Sequence, residues 1–144
     1  MGKKAIKNQP VEEEKNGGKI VEIKVDKFAD YIKEHQFLLM DVFAVWCQPC
    51  QIQGKVLEDA YEVIKNEIEG IEIIKINSDK YGKLCTTLKI DSIPTLVVWY
   101  KNTLVTLESG LLYKEDILKM VKQVKDHLDN PELSTEDIQP VKEE

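Results

Sequence analysis

Leu38-Leu39-Met40-Asp41-Val42-Phe43-Ala44-Val45-Trp46-Cys47-Gln48-Pro49-Cys50 joins a nearly unbroken apolar run to two thiols two residues apart. A run without polar alternation is what a strand covered on both faces requires. The pattern then changes: Ile52, Val56, Leu57, Ala60, Ile64 and Ile68 recur at helical spacing, and Gly70 ends that helix. A dithiol therefore stands where a buried strand hands over to a helix, the setting of a redox site.

Working outward, Ile71, Ile73, Ile74 and Ile76 form a second buried strand, and Tyr81 to Leu88 a short helix. Thr95 to Tyr100 is a strand, Lys101-Asn102-Thr103 a hairpin turn, and Leu104 to Leu107 its return. Ile117, Val121, Val124 and Leu128 give the last helix its inner face. Upstream, Ile20, Ile23 and Val25 make a short strand, and Asp26 can cap a helix facing inward through Phe28, Ala29 and Ile32. The order β-α-β-α-β-α-β-β-α predicts an α/β fold with a central mixed sheet. Helices on both of its faces make three layers. No internal repeat is visible.

Length and charge bound the rest. A chain of 144 residues makes one domain with a core that needs no disulfide staples. No apolar run approaches the ~18 residues that span a bilayer. Lys3, Lys4 and Lys7 have no apolar segment behind them, so the start does not read as a secretory signal. Residues 1–19 carry five lysines against three glutamates, and 129–144 six acids against one lysine, within a net charge of −6. With no basic stripe, nucleic-acid binding is excluded. The expected plan is a flexible arm over 1–19, a domain over 20–128 and an acidic flexible tail over 129–144, broken by Pro131 and Pro140.

Only a thiolate attacks a disulfide, and a free cysteine ionises near pH 8.5. Cys47 at a helix start faces unpaired backbone N–H groups and the positive end of the macrodipole, which favour the anion. Pro49 fits the first turn, where its missing N–H costs nothing. The i, i+3 spacing sets Cys50 beneath Cys47, within bonding reach and more shielded. Cys47 is then the attacking thiol and Cys50 the resolving one. Asp41 has two readings of equal weight: a buried proton acceptor serving Cys50, or a strand-end acid facing water. Pro94, opening a strand after Ile93, reads as an ordinary trans proline, since X-Pro bonds are cis in only about 5–6% of cases.

The remaining candidates are structural. Cys85 reads as a small buried hydrophobe rather than a regulatory thiol. His35 and His127 read as helix-end surface residues, and Trp99 and Tyr100 as sheet packing. With Cys85 and two scattered histidines as the only further ligands of their kind, a zinc site at Cys47 and Cys50 is not expected.

Over about residues 20–128 the chain resembles the thioredoxin family. The matching motifs are Trp46-Cys47-Gln48-Pro49-Cys50, Asp41-Val42-Phe43-Ala44, Ile93-Pro94-Thr95, Lys75 in Ile74-Lys75-Ile76-Asn77, and Gly110. The resemblance implies that Pro94 is cis and faces the dithiol. It implies that the backbone at Ile93 pairs with an extended substrate, with Trp46, Gln48, Pro49 and Gly110 around the docking surface. It implies that Asp41 carries a proton for Cys50, with Lys75 nearby. Three departures stand out: Gln48 where the family has Gly, Lys55 where it has a kinking Pro, and Ser92 where it often has Gly. A straighter helix and a more polar docking rim are expected.

The function implied is a monomeric cytoplasmic reductase of protein disulfides, reset by a thioredoxin reductase or equivalent donor, with no cofactor, metal, membrane or nucleic acid of its own. Two alternatives differ in class. One is an exported oxidase or isomerase, extracytoplasmic, separated by redox potential. The other is a thioredoxin-like binding module with incidental thiols, separated by insulin reduction with Cys47→Ser as control.

Overall fold

The computed structural model describes residues 13–14 and 18–129; the remainder of the expected arm and tail lies outside the described residues. Its strands are β1 (Glu13–Glu14), β2 (Val21–Ile23), β3 (Phe37–Phe43), β4 (Ile71–Asn77), β5 (Thr95–Tyr100) and β6 (Thr103–Ser109). Its helices are α1 (Phe28–Glu34), α2 (Gln48–Glu67), α3 (Gly82–Thr87) and α4 (Lys114–Asp129). The sheet runs β1-β2-β4-β3-β5-β6. β2, β4 and β3 are parallel, while β5 and β6 are antiparallel additions and the two-residue β1 pairs antiparallel at the opposite edge.

The chain thus folds as the expected three-layer α/β sheet, and the strand parity of β3 decides its layers. Leu39 faces α2 and α4, in a cluster with Leu57, Ile64, Ile73, Leu96, Ile117 and Val121. Leu38, Met40 and Val42 face α1 and α3, packed with Phe28, Ile32, Ile76, Val97 and Trp99. Each of these side chains, once buried, contributes about 1.5–3 kcal/mol. Asp41 shares the parity of Leu39, so it lies on the side covered by α2, the helix that carries the dithiol.

Local chemistry moved several expected boundaries. Asp26 does not cap α1: it sits inside a 3-10 turn, Val25–Lys27, and Lys27 precedes the helix without a side-chain cap. In α2, Ile52 points outward at 44% exposure while Gln53 is fully buried, the reverse of the apolar pattern. The helix runs unbroken past Lys55. Lys101 and Asn102 both have positive φ (52° and 64°) and form the two-residue turn between β5 and β6. That geometry matches the right-handed twist of the strands it joins.

Candidate active site

The dithiol occupies the join between β3 and α2. Cys47 is the N-cap of α2, in extended conformation, and its Sγ accepts the backbone N–H of Cys50 at 3.1 Å. Pro49 lies in the first helical turn. The two cysteines form a disulfide with their Cα atoms 5.2 Å apart. Sequence reasoning expects an accessible Cys47, yet in the disulfide form Cys47 is 5% and Cys50 3% exposed. Ala44 packs with both, and Phe43 and Ile93 close around them.

Asp41 lies one layer below. It pairs in register with Lys75 of β4 on one side and Leu96 of β5 on the other. At 2% exposure it is a buried acid, not a strand-end acid facing water. Its Oδ1 has no hydrogen-bond partner. Burial raises its pKa from 3.8 to about 7, and the Lys75 charge offsets part of that rise. The half-buried Lys75 holds its ammonium 5.5 Å from the centroid of the Phe43 ring.

The rim is built from loops. Trp46 is 68% and Val45 66% exposed. The Trp46 indole N–H donates to Asp79 Oδ2 at 3.0 Å, and Asp79 is held in turn by its own N–H donating to Asn77 Oδ1 at 3.0 Å. Gln48, Pro49 and Ser92 are exposed beside them, a polar edge. The Ile93–Pro94 peptide is cis, as the resemblance implies and against the reading of those residues alone. Pro94 carbonyl accepts the N–H of Gly110, at 2.8 Å; Gly110 has φ 98°, a conformation open to glycine.

The structure thus brings Trp46, Cys47, Gln48, Pro49, Cys50, Ile93, Pro94 and Gly110 to one end of the sheet, with Asp41 and Lys75 below. Three participants carried no sequence signal strong enough to find them. Asp79 lies in an unremarkable polar turn. Gln53 interrupts an apolar face as any surface residue would. Glu108, 1% exposed, sits beside Leu96 on the face that holds Asp41.

The other singled-out residues are structural. Cys85 is buried and unpaired, its thiol pushed up by burial. His35 and His127 are half-buried, and the His35 ring stacks on Tyr31 at 4.0 Å. Among the described residues no three His, Cys, Asp or Glu side chains are placed to hold a metal ion, and no helix is long and apolar enough to cross a membrane.

A closing and opening disulfide at a helix N-terminus, over a buried acid in this sheet order, defines a thiol–disulfide oxidoreductase. The thioredoxin family profile matches residues 19–123, and the chain belongs to that family. It is 30% identical over 112 residues to thioredoxin of Buchnera aphidicola subsp. Schizaphis graminum, covering 77% of this chain and 94% of that one. Thioredoxin of Chlamydia trachomatis serovar D is 30% identical over 98 residues, 68% of this chain and 91% of the relative. Spinach chloroplast thioredoxin f superposes with a TM-score of 0.64 over 75% of this chain and 95% of its own, at 23% identity, a likeness of fold.

Proposed function

We propose that the protein reduces disulfides in other proteins. The observation that carries this reading is the Cys50 N–H directed at Cys47 Sγ from the first turn of a twenty-residue helix. In the reduced protein the same N–H and the helix N-terminus favour the Cys47 thiolate over its thiol. That thiolate attacks one sulfur of the substrate disulfide, and the other substrate sulfur leaves as a thiolate and takes a proton from water. Cys50 then gives its proton to Asp41, whose pKa near 7 suits a group that gains and loses protons at neutral pH. Cys50 Sγ attacks Cys47 Sγ, and the second substrate thiolate leaves. Two electrons pass from the dithiol to the substrate, and the Cys47–Cys50 disulfide remains.

Docking follows from the rim. Exposed Val45 and Trp46 offer apolar surface, and the backbone at Ile93 offers hydrogen bonds to an extended polypeptide. The oxidised pair is reset by a thioredoxin reductase or an equivalent dithiol donor, and the protein works as a monomer. The unpaired buried thiol of Cys85 supports a reducing compartment such as the cytoplasm. Insulin reduction tests the reading. Wild type turns over with dithiothreitol as donor and Cys47→Ser does not; equal rates from the two would overturn it.

A further inference from the structure

Gln53 is a polar side chain with no exposed surface, on the helix face otherwise given to Cys50, Leu57, Ala60 and Ile64. A buried amide left unpaired costs about 1–3 kcal/mol, and this one is fully paired. Its Nε2 donates to the Leu112 carbonyl at 2.9 Å, and its Oε1 accepts the Leu112 N–H at 2.8 Å. One side chain thereby satisfies both backbone groups of one residue, as a neighbouring strand would. Residues 110–113 lie between β6 and α4 without regular structure, so Leu112 has no strand or helix partner in their place.

Leu112 stands two residues beyond Gly110, whose N–H holds the Pro94 carbonyl. Thr95 Oγ1, next to Pro94, donates to the Ser92 carbonyl at 2.7 Å and lies 3.2 Å from Ser109 Oγ. A chain of short polar contacts therefore leads from Gln53, one helical turn past Cys50, through Leu112 and Gly110 to Pro94. Ile93 completes the circuit by packing on the dithiol.

We propose that Gln53 is a positioning residue: its amide fixes the Gly110–Leu112 segment against the helix that carries Cys50, and with it the Ile93–Pro94 loop. The width of the groove that admits a disulfide-bearing polypeptide is then set from inside the core. The proposal rests on the reductase reading and deepens it. Gln53 touches neither sulfur, so its effect falls on docking rather than on electron transfer. A leucine at this position fills similar space but strands the Leu112 N–H and carbonyl. The segment then shifts toward water to satisfy them, carrying Gly110 away from Pro94.

The test compares wild type, Gln53→Leu and Gln53→Glu. For Gln53→Leu the expected result is a KM for insulin raised about tenfold with kcat held within about twofold. Its rate with 5,5′-dithiobis(2-nitrobenzoate), a small disulfide that needs no groove, and its equilibrium with glutathione stay within about twofold of wild type. Gln53→Glu keeps the acceptor and loses the donor, and falls between. An unchanged insulin KM overturns the proposal, as does an equal loss with both disulfides. Amide exchange in wild type gives a second arm independent of mutant folding: the Leu112 N–H is as protected as the core amides of α2, and rapid exchange there overturns the proposal. A wild type that fails to reduce insulin strikes the reductase reading instead, and leaves the exchange result to judge the clasp.

Discussion

A carboxyl group enclosed at position 41 works against the fold whenever it is charged. Its pKa of about 7 in the native protein exceeds the unfolded value of 3.8, so the folded state holds a proton that the unfolded chain has released. Stability is therefore full below about pH 4, declines up to pH 7 and stays reduced above it, a loss of up to roughly 4 kcal/mol. Asp41→Asn in the disulfide form removes most of that decline and raises stability at pH 8. Urea titration across pH 4–8 checks this, and an identical decline in the mutant contradicts it. The same substitution slows release of the mixed disulfide by about 10²–10⁴-fold if Asp41 takes the Cys50 proton. Stopped-flow measurement of that step reads the effect directly. Gly54 offers a contrast: a Cβ built there meets nothing within 4 Å, so the glycine weakens α2 for no packing reason. Gly54→Ala should stabilise by about 0.5–1 kcal/mol, measurable by thermal unfolding.

At the scale of elements, the β5–β6 turn is specified by two left-handed residues. Asn102 tolerates φ 64°, and a β-branched side chain there does not. Asn102→Val should cost about 1–2 kcal/mol in urea unfolding; a neutral result would mean that the strands hold the turn rather than the reverse. The elements themselves were legible because each buried strand and helix face carries an apolar period, from Leu38 to Val42 and from Leu57 to Ile64. The site was legible where chemistry needs fixed spacing, as in Cys47 and Cys50. It was illegible where a polar side chain meets the backbone of a remote segment. Gln53 bonds to Leu112, 59 residues away, and no local pattern marks such a pair. The outward turn of Ile52 has the same origin, since Gln53 takes the inward position. Asp41 was half legible: its place within an apolar run is plain, but which face of β3 it occupies depends on the register with β4 and β5.

For the molecule as a whole, one end of the sheet gathers the reactive pair and the two loops that frame it, while both core layers lie behind. A division of labour between the sulfurs follows. Cys50→Ser leaves Cys47 able to attack but unable to be released, so it should accumulate mixed disulfides with protein targets, and Cys47→Ser should accumulate none. Non-reducing gels after incubation with oxidised insulin separate the two outcomes; equal trapping by both variants would contradict the assigned order.

The most direct measurement is the pH dependence of Cys47 alkylation by iodoacetamide in the reduced protein, read by mass spectrometry of the modified site. The account predicts that the rate reaches half its plateau well below pH 8.5, the midpoint of a free cysteine, because the helix N-terminus favours the anion. A midpoint at or above that of a free thiol would contradict it.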